Sequence, residues 1–282
     1  MRDIRIALAV TQSRVGEIST NIDSVRRLVS DARQKGAEWI CFPELNVTGY
    51  SIRHPGQGLT TELLSKIHRI LSQLSFSEKT VIMAGMVEPD SSGAWYAAHR
   101  IFRKNGSSDV YHKTHIAPPE KKVLKAGNTI PVFQVDGITI GIQLCWDTHF
   151  PDLSTIMALN GAEILLFPHA SPQGTPESKL NSWLRHLPAR AFDNSVYVVA
   201  CNQTGDNGEG LSFPGIALGI DPAGKILSVA FPKQEDCLIL DLKAEVLTSI
   251  RSHRMKYFLP ERKPELYRNY LLPSFIPTEN MP

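Results

Sequence analysis

The strongest constraint on this chain is a hydrophobic period that switches repeatedly between two and 3.6. Ile4, Ile6, Leu8 and Val10 alternate with Arg5, Ala7 and Ala9, which is strand periodicity. Ile22, Val25, Leu28, Val29 and Ala32 then recur at helical spacing and stop at Gly36. AEWICF (37–42) halts at Pro43 as a second strand, Thr61 to Leu74 reads as a helix, and TVIMAGMV (80–87) as a third strand. The opening is therefore βαβαβ. The middle differs: 95–102 and 109–113 flank Asn105-Gly106, and PVFQV (131–135) and ITIGIQL (138–144) flank Asp136-Gly137, both hairpin signals. A helix at about 151–160, a strand at 163–168, a helix at about 179–193 and a strand at 196–201 restore the alternation. Strands at 216–220, 225–230 and 237–242 and a helix near 243–255 follow. The expected product is a single α/β domain over 1–282, its sheets covered by helices. Periodicity does not assign each strand to a sheet. The Pro-containing tail at about 260–282 is too irregular to fold alone and is expected to lie on another surface, such as a partner subunit's.

Composition removes several functional classes. A hydrophobic share of 42% against 21% charged residues provides a large core and excludes a disordered or coiled-coil chain. Thirty Lys+Arg against 28 Asp+Glu give a net charge of +2, so no nucleic-acid groove or polybasic membrane contact is expected. No apolar run approaches the roughly 18–20 residues of a membrane span. MRDIRIALAV, interrupted by Arg5, reads as a strand rather than a signal peptide. The four cysteines (Cys41, Cys145, Cys201, Cys237) form no CxxC pair, so neither a zinc ribbon nor a disulfide framework is indicated and a reducing cytoplasm is expected.

Phosphate-loop and GxSxG signatures are absent. His112 and His115 form an HxxH pair without a third ligand at a recognised spacing, and read as polar loop histidines. Three polar residues remain at strand ends, where α/β sheets place ligand sites. Glu44 follows the strand ending at Phe42, Lys113 ends DVYHK, and Cys145 ends ITIGIQL just before Trp146-Asp147. A cysteine at a strand-to-helix turn gains acidity from the helix N-terminus and nearby cations. Thiol chemistry also needs a base and oxyanion donors: Glu44 is the candidate base, Lys113 and the Trp146 N–H the candidate donors. The competing structural reading is that the cysteine is a small buried hydrophobe and the other two are solvated surface groups. Cys41, Cys201 and Cys237 lack a comparable polar setting.

The local sequences around the three separate these readings. FPELNVTGY (42–50), YHKTHI (111–116) and GIQLCWDTHFPDL (141–153) resemble, in order, the PELxxxGY, Y-x-K-x-H and G-x-x-x-C-[WY]-[DE]-x-x-FPE elements of the nitrilase, or carbon-nitrogen hydrolase, superfamily. GAEILLFPHASP, LPARAFDNSVYVVACNQTG, 213–227 and 262–267 are similar to further family stretches, so the resemblance covers nearly the whole chain. It implies an αββα four-layer sandwich that pairs into a homodimer or higher oligomer through helices beside the nucleophile. It also implies that Cys145 is the nucleophile, Glu44 the general base and Lys113 the cation on the tetrahedral intermediate, with no metal or organic cofactor. Glu120 takes the place of a second site glutamate, although Val123, Leu124 and Ala126 stand where the family often has aromatics and proline.

Trp146, Asp147, His149, His169 and Ser171 follow strand ends beside Cys145 and are expected to line or border the pocket, Trp146, His149 and His169 as small-molecule substrate contacts. Asp147 has an alternative role as a helix cap, and Trp146 as core. CWD followed by FP most resembles amidases and N-carbamoyl hydrolases, whereas true nitrilases more often carry CWE. The expected function is hydrolysis of a non-peptide C–N bond in a small amide or N-carbamoyl compound through a thioester. The alternatives are a nitrilase and, from another class, a non-catalytic interaction protein on the same scaffold.

Overall fold

The computed structural model describes residues 1–267, arranged as helices, sheet, sheet and helices. Strands β1 (Ile4–Val10), β2 (Trp39–Cys41) and β3 (Val81–Pro89) run parallel, connected by α1 (Ile18–Gln34) and α2 (Thr61–Glu78). Two antiparallel strands, β4 (Trp95–Phe102) and β5 (Ser108–His112), extend this sheet. The second sheet begins with the hairpin β6 (Phe133–Val135) and β7 (Ile138–Ile142). Helix α3 (Pro151–Leu159) leads from β7 to the parallel β8 (Ile164–His169). Helices α4 (Pro176–Trp183) and α5 (Leu187–Asn194) lead on to β9 (Tyr197–Asn202), also parallel. A small ribbon of β10 (Gly205–Asp206) and β11 (Ser212–Phe213) precedes the antiparallel β12 (Ala217–Ile220) and β13 (Ile226–Ala230). The chain then crosses back: β14 (Asp236–Leu242) pairs antiparallel with β1, from Ile4 opposite Leu242 to Val10 opposite Asp236. Helix α6 (Ala244–Arg251) follows. The sheet orders are β14-β1-β2-β3-β4-β5 and β13-β12-β9-β8-β7-β6, which gives the expected αββα sandwich.

The alternation in β1 explains the layering. Ile4, Ile6, Leu8 and Val10 enter the core shared with Ile138, Ile140, Leu166 and Val199 of the other sheet. Ala7 and Ala9 face the opposite way, against Val25 and Leu28 of α1. Each large aliphatic side chain buried here contributes about 1.5–3 kcal/mol. Met157 and Ala158 of α3 and Leu187 and Ala191 of α5 seal the outer face of the second sheet.

Two expectations need correction. The helix expected over about 179–193 is two helices, broken between Trp183 and Leu187. Pro188 lies in the first turn of α5, where its missing N–H and its ring prevent the helix from running through. The helix near 243–255 ends at Arg251. Of the tail expected from about 260, a turn at Leu259–Glu261 and the short α7 (Pro264–Tyr267) are described, and the remainder lies outside the described residues.

Candidate active site

Glu44 leaves the C-terminal end of β2 in a tight turn. Leu45 adopts φ 54°, unusual without glycine. The turn lies so close to β3 that a Cβ on Gly85 would stand 2.3 Å from the Leu45 nitrogen. Gly85 N–H in turn donates to Asn46 Oδ1 (2.8 Å), and Gln203 Nε2 donates to the Glu44 carbonyl (2.8 Å). These contacts fix the Glu44 backbone, and its side chain is wholly buried.

Lys113 follows β5 directly. Its N–H donates to the Ala97 carbonyl (2.9 Å) and its carbonyl accepts from Gly127 (2.7 Å). The side chain runs inward, and Nζ donates to Glu44 Oε1 (2.8 Å) and to Glu120 Oε1 and Oε2 (2.9 and 2.8 Å). An ammonium has three N–H groups, so these carboxylate oxygens satisfy it completely. Glu120, in the short turn Pro118–Glu120, also accepts from the Tyr50 hydroxyl (2.9 Å) and the Ala117 N–H (3.0 Å). Glu44 Oε2 accepts from the Ala170 N–H (3.0 Å). The site therefore holds two buried carboxylates around one buried ammonium.

That imbalance sets the proton affinities. Burial, with the Glu120 charge, outweighs the attraction of Lys113 and raises Glu44 to about 7. For Lys113, burial opposes the charged form, but Glu44 and Glu120 prevail and hold it above the ordinary lysine value. Burial and the Glu44 charge push the Cys145 thiol well above the usual cysteine range, with Lys113 pulling the other way. The resting state is thus a protonated thiol beside a carboxyl poised near neutrality and a permanently charged lysine.

Cys145 opens a 3-10 turn (Cys145–His149) directly after the β7 edge, with φ 42°. A non-glycine residue in this region stores about 1–3 kcal/mol of strain. The turn is held by Asp147, whose buried carboxylate accepts from Leu144 N–H (3.0 Å), Tyr111 hydroxyl (2.8 Å), Thr114 hydroxyl (2.9 Å) and His115 N–H (2.8 Å). Tyr111, Thr114 and His115 flank Lys113 in sequence, so this one carboxylate ties the cysteine turn to the lysine segment. Of the two roles open to Asp147, the structure shows the structural one. Cys145 remains partly exposed, while Glu44, Lys113 and Glu120 are buried beneath it.

The expected pocket residues divide. Trp146 is half-buried and helps line a cleft of about 620 Å³ with Ile116, Leu124 and Phe150. His149 is exposed, edge-on to Trp146 at 4.8 Å between ring centroids and 5.2 Å from His186. His169 is buried at the end of β8 against Trp183 (4.6 Å), and its Nε2 has no hydrogen-bond partner. His112 stacks on Tyr96 and His115 on Phe150. Among the described residues no cluster of three His, Cys, Asp or Glu side chains could hold a metal. Tyr50, Ala170 and the bracing role of Asp147 were not foreseen. Tyr50, Asp147 and Ala170 all lie inside the quoted stretches, but the Ala170 contact with Glu44 joins residues of the two different sheets and appears only in the fold.

Comparison with known proteins places the chain among relatives of one family. A probable nitrilase of Schizosaccharomyces pombe is 28% identical over 95% of this chain and 98% of its own length. An N-carbamoylputrescine amidase of Oryza sativa subsp. japonica is 29% identical over 94% of each. The amidase of Nesterenkonia sp. AN1, of the nitrilase superfamily, has the same fold, with a TM-score of 0.82 at 24% identity over 95% of this chain and 97% of that one. In a mutant of that amidase the acetamide moiety of fluoroacetamide is added covalently at the active-site cysteine. The sequence family described as Carbon-nitrogen hydrolase matches residues 5–252. With that match and this sandwich, the chain belongs to the carbon-nitrogen hydrolase family.

Proposed function

We propose that the chain is a single-domain amidase or N-carbamoyl hydrolase acting on a small molecule through a Cys145 thioester. The observation that carries this reading is the grouping of a raised buried carboxyl (Glu44), a lysine held charged (Lys113) and a thiol held protonated (Cys145). A protonated thiol is a poor nucleophile, so attack requires a base beside it. Ionised Glu44 takes the thiol proton as Sγ bonds to the carbonyl carbon. The resulting oxyanion is stabilised by the nearby Lys113 charge and by backbone N–H at the start of the turn, where helical N–H groups lack internal partners. Glu44 then returns the proton to the leaving nitrogen, the C–N bond breaks, and ammonia or an amine departs. Water, deprotonated by the same carboxylate, attacks the thioester and frees Cys145. Glu120 positions Lys113 and needs no proton transfer of its own. Trp146, His149 and His169 are proposed to border the substrate.

The relative named as a probable nitrilase favours one second reading, addition of Cys145 to a nitrile, which yields acid and ammonia. Two copies are proposed to pair through α3 and α5, where Leu159 and Phe192 remain exposed; light scattering that reports a monomer contradicts this. All four cysteines are unpaired, which supports a reducing cytoplasm.

The test is a panel of primary amides, N-carbamoyl compounds and nitriles, with ammonia and carbon dioxide both followed in wild type and Cys145→Ala. Cys145-dependent ammonia from amides identifies an amidase, and equal carbon dioxide from carbamoyl compounds a carbamoylase. Ammonia from nitriles alone selects the second reading. Silence across the panel with an inert Cys145 thiol returns the protein to a non-catalytic role.

A further inference from the structure

The strand that ends at His169 leads from the catalytic carboxylate to an uncompensated cation. Ala170 N–H donates to Glu44 Oε2. The next residue, Ser171, is clamped by Asn202, which accepts from its N–H (2.9 Å) and donates to its carbonyl (3.0 Å). Ser171 Oγ then accepts from Lys179 Nζ (2.6 Å), and the Pro172 carbonyl accepts from the same nitrogen (3.3 Å). Lys179 projects from α4 and is half-buried. Among the described residues neither a hydrogen bond nor an ion pair joins it to a carboxylate, and one of its three N–H groups has no acceptor. Burial pulls it below the ordinary lysine value, while the Cys145 sulfur lies close enough to pull it up.

The surroundings carry the same sign. His169, buried with its Nε2 unpartnered, lies within the field of Lys179, His186 and Lys113. Arg190 enters from α5 to donate to the Thr148 carbonyl (3.1 Å), and its buried Nε has no partner. Asp152 and Asp193 temper Arg190, and Glu44 and Glu120 are both engaged by Lys113. Buried polar groups in native proteins are normally satisfied; here, at the end of the strand whose Ala170 N–H holds Glu44, His169 Nε2 is buried without a partner and the Lys179 ammonium has hydroxyl and carbonyl partners but no carboxylate.

We propose that Lys179 is a specificity-determining residue that receives the carboxylate of an anionic amide or carbamoyl substrate whose reacting carbon sits at Cys145. This rests on the hydrolase reading above, and it selects against substrates ending in an amine.

Three amides of the same chain length test it: 3-carbamoylpropanoate (anionic), butyramide (neutral) and 3-aminopropanamide (cationic). For wild type the expected kcat/KM ratio of anion to neutral is about tenfold or more, carried mainly by KM, with the cation poorest. Lys179→Met is expected to bring the ratio close to one and Lys179→Arg to preserve it. A wild-type ratio near one, or a ratio that survives Lys179→Met, overturns the proposal. A second measurement does not depend on turnover: the rates at which iodoacetate and iodoacetamide alkylate Cys145, followed by mass spectrometry. The iodoacetate-to-iodoacetamide ratio is expected to fall several-fold in Lys179→Met. If no amide is hydrolysed but this ratio falls, the anion subsite stands and the hydrolase reading fails. If amides are hydrolysed and neither ratio moves, the hydrolase reading stands and Lys179 has no such role.

Discussion

The charged groups on the two sides of the site are held differently. On the side of the first sheet, Glu44, Lys113 and Glu120 answer one another completely, and each Lys113 N–H meets a carboxylate oxygen. On the side of β8 and α4, His169 Nε2 is buried without a partner, and Lys179 keeps a cation without a carboxylate. Charges fixed before the reaction need no reorganisation during it, which suits the wall that acts on the reacting atoms. Polar groups left unanswered suit a wall that waits for a ligand. On the proposed reading, chemistry and selectivity are separated in space, and each side is expected to respond differently to substitution.

The largest effect is expected from Lys113→Met. It leaves two carboxyls buried without their cation, a loss of about 3–5 kcal/mol of stability, and removes an oxyanion partner. Urea denaturation and amide turnover would together show it; an active, fully stable variant would break the contrast between the walls.

Glu44→Gln keeps the shape and removes the proton carrier. Hydrolysis is expected to fall by about 10²–10⁴-fold, while Cys145 still accepts a haloacetamide label. In wild type, only ionised Glu44 can take the thiol proton, so kcat/KM should rise with pH through about 7 and fall tenfold per unit below it. A flat profile from pH 5 to 8 would remove Glu44 from the role of base.

Asp147→Asn comes next. It weakens the brace between the cysteine turn and the lysine segment by about 2 kcal/mol, since hydrogen bonds to a charged group are the strong ones. Thermal denaturation should register this together with reduced turnover; loss of neither would make the brace redundant.

The smallest effect is expected from His169→Phe. The imidazole lies against Trp183 with its ring tilted and its Nε2 unpartnered, so a ring of similar size should change stability by less than about 1 kcal/mol. A loss as large as that of Lys113→Met would place His169 in the satisfied wall instead.

The same division governs what could be read from the residues alone. Glu44, Lys113 and Cys145 were legible because each sits where a periodic strand stops and a polar residue interrupts it, within motifs shared with a known family. Glu120 was legible from that resemblance, although its neighbours depart from the pattern. The order of β1, α1, β2, α2 and β3 followed from side-chain period, which records local burial. Sheet membership did not, because pairing of β14 with β1 joins residues at opposite ends of the chain. The break between α4 and α5 was missed because the apolar spacing continues across it, while Pro188 acts on the backbone. Lys179 carried no signal: an isolated lysine on a helix reads as solvated until Ser171 and the end of β8 are beside it.

The pairing of β1 with β14 has a consequence during synthesis. Among the described strands, the partner of the earliest, β1, is the latest in chain order, Asp236–Leu242. At about 5–20 residues per second, the outer edge of β1 stays open for on the order of ten seconds or longer. Through that interval a row of unpaired backbone groups beside Ile4, Ile6 and Leu8 is available to other nascent chains. The protein's yield in a crowded translating cell therefore depends on how that edge is shielded before β14 arrives.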